Sequence, residues 1–293
     1  MATFQDYYEL TKPRLSFLSV FTALIGFWMA PKTLASASDL AYFVILATGI
    51  GLCAGGAAVL NQWMEYKSDG LMRRTKERPI PTLKIQPKKA LIFGISLCIG
   101  GLFLLFSMGD SKLPMLLASL TIGSYLIVYT PFKKISALNT LIGAIPGALP
   151  PLIGWSAATG TISTLGWLLF AILFFWQMPH FYALSWMYKD DYAKAGFKML
   201  SKDDLDGKVV AQHSFAHTVL LVIVTLLPTF LGFASAFYLC VAALLNLLFL
   251  MKAYQFLSSE NKNQNAQRLF FASIIYLPLL LIVLLIDNAF LAI

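Results

Sequence analysis

Asn61, Glu65 and Asp69 stand four residues apart in the run Asn61-Gln-Trp-Met-Glu65-Tyr-Lys-Ser-Asp69. On a helix a four-residue step turns by about 40°, so the three side chains share one stripe over about 12 Å. Met72-Arg-Arg-Thr75-Lys-Glu-Arg78-Pro79 follows at once and adds Arg73, Arg74 and Arg78. Amide and carboxylate oxygens in a row suit a hard divalent cation such as Mg²⁺, and guanidinium groups suit phosphate oxygens. A diphosphate ester leaves poorly until its developing charge is neutralised, and such a cation with adjacent arginines would neutralise it. The competing reading is a set of solvated caps or headgroup anchors, which accounts for any single Lys or Arg here. It accounts poorly for Asn61 and Glu65, which continue the register of an apolar helix and need a partner or a wet cavity.

Other polar residues interrupt apolar surroundings further on. Tyr129 and Lys133 in Tyr129-Thr-Pro-Phe-Lys133 either aim a phenol and an ammonium at one phosphate or form an interfacial tyrosine beside a positive-inside lysine. Asn139 opens a Gly- and Pro-interrupted segment, and is either a substrate contact or an interhelical hydrogen bond. Trp176-Gln177-Met-Pro179-His180-Phe181 sets a histidine within an apolar helix, as a functional group or a hydrogen-bonded core residue. His213 and His217 have helical metal-ligand spacing but no evident third ligand. Tyr188-Lys-Asp190-Asp191-Tyr192 is a second carboxylate cluster, whereas Asp203, Asp204 and Asp206 read as a solvated loop turning at Gly207. Cys53, Cys98 and Cys240 show no zinc or disulfide pattern and read as buried small apolar residues.

The elements that hold these residues are set by composition. Of 293 residues 58% are hydrophobic and 12% charged, where soluble domains carry about 25% charged residues. Apolar runs of spanning length recur at 15–31, 40–63, 90–108, 113–130, 138–157, 163–187, 213–233, 235–256 and 269–291. The runs are continuous, which excludes a β-barrel. The first has spanning length and lacks a clear cleavage site, so it is read as a span and not a signal peptide. The expectation is an all-α, polytopic membrane protein: nine transmembrane helices in one domain, 1–293, around a central cavity opening near the cytoplasmic face. With the N-terminus inside, only Lys32 and Lys112 of the 22 Lys and Arg fall outside. That bias fixes an inside N-terminus and an outside C-terminus. It also explains the net charge of +8 without nucleic acid. The longer connections, 64–89, 131–137, 188–212 and 257–268, lie inside with most of the charge, so function is expected on that face. A faint echo between the ends of the second and sixth spans suggests a duplicated four-helix unit with a ninth helix added.

With these residues in place, the chain resembles the UbiA-type intramembrane prenyltransferases, and within them the branch that farnesylates protohaem. The resemblance runs nearly end to end. It rests on Tyr8-Glu-Leu-Thr11-Lys12-Pro13-Arg14, and on Asn61, Glu65 and Asp69 followed by Met72, Arg74, Thr75, Arg78 and Pro79. Tyr129 with Lys133, and Asn139, Gly143, Gly147, Pro150, Pro151, Gly154 and Trp155, continue it. Trp176-Gln177-x-Pro179-His180-Phe181, Tyr188-x-x-Asp191-Tyr192-x-x-Ala195-Gly196 and Ala266-x-x-Leu269-Phe270-x-x-Ser273-Ile274 complete it.

The resemblance implies transfer of a farnesyl group from farnesyl diphosphate to the 2-vinyl group of haem b, giving haem O and diphosphate. It assigns Asn61, Glu65 and Asp69 to Mg²⁺ and diphosphate, with Asp191 as a second acidic contributor. Arg74, Arg78 and Lys133 would neutralise phosphate oxygens. Tyr129, Asn139 and Tyr188 would contact substrate, and His180 would serve the haem side. It implies a bacterial cytoplasmic (inner) membrane protein, with a haem A synthase or terminal oxidase assembly as the recipient. Quinone-making relatives carry a second Asp-x-x-x-Asp pair where this chain has Tyr188 and Tyr192 around Asp190-Asp191; this favours haem as acceptor and puts a second fully ligated Mg²⁺ in doubt. The alternatives are a prenyltransferase acting on a quinone precursor, a multi-pass transporter, or a non-catalytic haem chaperone.

Overall fold

The computed structural model describes residues 2–31 and 37–291, and every regular element among them is helical. Lys32 lies outside the described residues. A short helix α1 (Phe4–Leu10) precedes α2 (Pro13–Met29), α3 (Ala37–Asp69), α4 (Pro87–Phe106) and α5 (Leu113–Gly123). A π-helical stretch, Ser124–Tyr129, carries α5 into the single turn α6 (Thr130–Phe132). Next come α7 (Asn139–Ala148), α8 (Pro150–Thr159), α9 (Thr164–Met187) and the short α10 (Lys189–Lys194). The chain ends in α11 (Lys208–Phe230), α12 (Ala236–Leu257) and α13 (Lys262–Leu291). Proline at the first turn opens α2, α4, α5 and α8, where its missing N–H removes no helical bond. Ser163 and Ser235 cap α9 and α12.

Eight of the helical segments are long and apolar enough to cross a membrane. The remaining predicted span, 15–31, falls on α2, which has 17 residues. At about 1.5 Å per residue it is somewhat shorter than a bilayer core of about 30 Å. The outer surface is apolar, with Ile99, Phe103, Leu244, Leu247 and Ile275 all exposed, as suits lipid contact.

Two cores hold the bundle. One joins α9, α11, α12 and α13 through residues such as Leu169, Ile172, Tyr238 and Phe249. The other joins α2, α3, α5 and α8 through Phe27, Leu46, Ile50 and Leu152. They meet at the α2–α8 crossing, where a Cβ at Gly154 would stand 1.7 Å from the Ala23 carbonyl oxygen. The predicted span 138–157 is broken, as its glycines and prolines foretold: Pro146 lies inside α7 and the chain restarts at Pro150.

Two expectations are corrected here. Cys53 and Cys98 are buried at the α3–α4 contact, but Cys240 is exposed, because α12 turns it away from the core. Asp203 and Asp206 are exposed, but Asp204 is buried. Its Oδ2 accepts the Val210 N–H at 2.9 Å and its carbonyl accepts Lys189 Nζ at 2.6 Å. Asp204 therefore satisfies a first-turn N–H of α11, whose N-cap is Gly207, and is not a solvated loop residue.

Candidate active site

α3 runs on past its apolar part without losing register, so Asn61, Glu65 and Asp69 lie on its last turns. They are 2%, 7% and 1% exposed. Each meets a cation from elsewhere in the chain. Lys12 Nζ donates to Asn61 Oδ1 at 3.2 Å, and Arg78 Nη1 to Asp69 Oδ2 at 2.8 Å. Lys133 Nζ donates to Glu65 Oε2 at 3.0 Å and lies 2.9 Å from Oε1. The Lys133 ammonium thus sits against both oxygens of the buried Glu65 carboxylate. Burial opposes the Lys133 ammonium, but Tyr129 and the Glu65 carboxylate outweigh it and hold its pKa above the ordinary lysine range. At Lys12 burial, with Arg78 and Lys133 behind it, wins and pushes the amine down to about 7.

The π-helical stretch builds the opposite wall. Its wider turn stacks Tyr125 on Tyr129 with centroids 5.4 Å apart, a distortion that recurs at functional sites. Thr130 Oγ1 donates to the Tyr125 carbonyl at 2.8 Å and accepts Asn61 Nδ2 at 3.1 Å, which leaves Asn61 Oδ1 facing Lys12. Lys133 Nζ lies 4.7 Å from the centroid of the Tyr129 ring. Behind that ring is Gly143, where a Cβ would come within 2.5 Å of Tyr129 Cε2. The broken helix α7 thus supplies a floor that only glycine permits.

Two loops close over these helix ends. Thr75 Oγ1 donates to the Asp69 carbonyl at 2.8 Å, while Ile80 and Ile85 are buried beside Leu10 and Val59. Met72 packs on Ala195 and Phe197 of the second loop, and the Arg74 guanidinium lies 5.2 Å over the Tyr188 ring. Asn139 is fully buried and bonds Ser136 O at 2.7 Å and Lys198 O at 2.8 Å. Lys198 N in turn donates to the Lys133 carbonyl at 2.7 Å. Asn139 therefore ties the backbone beneath Lys133, and both its amide hydrogens are committed to the protein.

The structure thus brings together Asn61, Glu65, Asp69, Arg78, Tyr129 and Lys133, and pairs Arg74 with Tyr188. It does not gather every predicted ligand. Asp191 is buried on α10 and enters no ion pair among the described residues. Among those residues, no three carboxylate, His or Cys side chains come close enough to hold a metal ion by themselves. The oxygen donors of Asn61, Glu65 and Asp69 on α3 still fit Mg²⁺, provided that the cations now on them move away. His180 belongs to another environment, stacked between Trp176 and Phe270 with Nδ1 2.7 Å from Ser273 Oγ. His213 and His217 flank the Tyr182 ring, and His217 Nδ1 is bonded to the His213 carbonyl. Sequence reasoning left Lys12, Tyr125 and Thr130 out of the site. The signal for Lys12 was the Lys12-Pro13-Arg14 step at the threshold of an apolar helix.

Comparison with known proteins agrees with this geometry. Residues 19–275 match the UbiA prenyltransferase family. A protoheme IX farnesyltransferase of Opitutus terrae is 47% identical over 290 residues, covering 99% of this chain and 97% of that protein. Among solved structures, one from work on digeranylgeranylglyceryl phosphate synthase superposes with a TM-score of 0.79 at 18% identity, covering 97% of this chain and 98% of its own. A UbiA homologue from Archaeoglobus fulgidus bound to DMAPP and Mg²⁺ gives 0.73 at 14% identity, covering 97% and 99%. These two show that the fold is shared. The chain is a multi-pass membrane protein that belongs to the UbiA prenyltransferase family.

Proposed function

We propose that this chain transfers the farnesyl group of farnesyl diphosphate to the 2-vinyl group of haem b, and that the α3 cluster is its diphosphate pole. The observation that carries this reading is the buried stripe of Asn61, Glu65 and Asp69 with Lys133 paired to Glu65 and Arg78 to Asp69. The near full-length likeness to a protoheme IX farnesyltransferase supplies the acceptor. Mg²⁺, held by Glu65 and Asp69 with Asn61 as a further oxygen, would supply Lewis-acid neutralisation of the leaving diphosphate, with Asp191 as a second acidic contributor. Its use is supported by the oxygen-only residues and by the Mg²⁺ bound to the Archaeoglobus homologue.

The remaining steps fall to this chain's own groups. Lys133, Arg78 and Arg74 take the charge that develops on diphosphate as the farnesyl C1–O bond breaks. The stacked faces of Tyr125 and Tyr129 shield the allylic cation from water. The vinyl group attacks C1 to form the new C–C bond. Water then adds to the resulting cation and loses a proton, giving the hydroxyethylfarnesyl substituent of haem O. His180, between two aromatic rings, serves the haem side. The whole forms one membrane-embedded unit of a bacterial cytoplasmic membrane, N-terminus inside and C-terminus outside, with a haem A synthase or terminal oxidase assembly receiving the product.

The test is an assay of the purified protein with farnesyl diphosphate and either haem b or 4-hydroxybenzoate. Prenylation of haem alone is expected, and prenylation of the benzoate alone would overturn the acceptor assignment.

A further inference from the structure

We propose that Lys12 is a third cation of the diphosphate subsite, aimed into it by a left-handed turn between α1 and α2. This rests on the reading of the α3 cluster as the diphosphate pole. From sequence, Lys12 is one more positive residue at the inner end of a span, where lysines reach outward to headgroups. The structure turns it the other way. Its amine reaches across the bundle to Asn61 Oδ1, a residue 49 positions away.

The backbone at Lys12 has φ 47° and ψ 60°. Non-glycine residues seldom adopt this conformation, and the ring of Pro13 favours an extended predecessor. Strain of this kind persists only where the surroundings over-determine it, and it concentrates at functional positions. Here the surroundings are explicit. α1 is locked by a capping box between Thr3 and Asp6, and Leu10 is buried against Val59. Gln62 Nε2 donates to the Leu10 carbonyl at 2.6 Å. Adjacent residues of α3 therefore do two jobs: Gln62 holds the turn and Asn61 receives the amine.

The charge pattern points to an anion. Glu65 and Asp69 are already matched by Lys133 and Arg78. Lys12 adds a further cation and faces a neutral amide. Lys12, Lys133 and Arg78 all reach the same stripe of α3 and would hold an entering anion from three sides. A diphosphate, whether esterified or released, is such an anion. The amine would then pass from Asn61 Oδ1 to a phosphate oxygen and leave the amide oxygen exposed to the cation that accompanies the ligand.

The experiment is calorimetric titration of inorganic diphosphate, with Mg²⁺ present, into the full chain in lipid nanodiscs. Lys12→Gly accommodates the left-handed turn, and a melting curve confirms its folding. Lys12→Gln can keep a hydrogen bond to Asn61 without the charge. Both are expected to weaken diphosphate binding about tenfold or more, the scale of one lost charge-assisted hydrogen bond. Lys12→Arg should recover most of the affinity, and Lys84→Ala, on an exposed loop residue, should leave it unchanged. Unaltered binding by both the Gly and Gln variants would make Lys12 a structural residue only. Loss in Lys12→Gly with full retention in Lys12→Gln would assign the effect to the Asn61 bond and overturn the charge role. No binding by the unmodified protein would overturn the diphosphate reading itself, and this inference with it.

Discussion

Thr225, Tyr238, Asn246 and Tyr276 form one buried polar cluster, between α11, α12 and α13. Asn61, Glu65 and Asp69 with Lys12, Lys133 and Arg78 form another, at the inner end of α3. The first is neutral and closed. Tyr238 Oη donates to the Thr225 carbonyl at 2.7 Å, Asn246 Nδ2 to Thr225 Oγ1 at 2.9 Å, and Tyr276 Oη to Asn246 Oδ1. The second is charged, sets three cations against two carboxylates, and holds a lysine on a neutral amide. A neutral, satisfied network fixes how helices pack, because any other packing leaves its members unpaired. A charged network with more cations than carboxylates is poised for an anion. Burial of polar groups alone does not separate structure from function; the unbalanced charge does.

Glu65→Gln should break the functional side of this contrast most severely. It removes the carboxylate that faces both Lys133 and the proposed cation, and farnesyl transfer should fall by about 100- to 1000-fold. Gly143→Ala comes next. Its methyl would press on Tyr129 Cε2, and a displaced ring should cost about tenfold to hundredfold in turnover, read from kcat with KM for farnesyl diphosphate little changed. Asn246→Leu tests the other cluster. It removes the partner of Tyr276 Oη, leaves Thr225 Oγ1 only the Val222 carbonyl, and should lower stability by about 1–3 kcal/mol, seen in the melting midpoint, with kcat unchanged. A loss of activity there without a loss of stability would erase the distinction. Arg74→Ala should have the smallest effect. Removing its contact with Tyr188 should weaken diphosphate binding only about two- to fivefold.

The two clusters also differed in how far they could be read in advance. The stripe of Asn61, Glu65 and Asp69 was visible because a helical repeat keeps its residues four apart. The spans were visible because lipid demands long apolar runs, and the order of motifs gave the family. Arg78 and Lys133 were legible as cations of the site, but the acceptor each meets was not, nor was the place of Lys12. Lys12 and Lys133 lie 49 and 68 positions from their acceptors, and no local pattern reports a contact made by packing. The same limit left Asn139 open between a substrate contact and a hydrogen bond within the bundle, and hid its tie to Lys198 beneath Lys133. Asp204 was misread because a carboxylate that satisfies a helix start and a solvated turn share the same Asp- and Gly-rich sequence. The polar network of α11–α13 gave no signal, since Thr, Tyr and Asn are spread singly through apolar helices.

The most direct measurement is mass analysis of haem extracted from cells that lack any other haem farnesyltransferase and carry either this protein or its Glu65→Gln variant. The expected result is farnesylated haem O with the unmodified chain and only protohaem with the variant, both proteins being present in the membrane at equal levels. Farnesylated haem in equal amounts from both, or from neither, would contradict the assignment of the α3 cluster as the diphosphate pole of a haem farnesyltransferase.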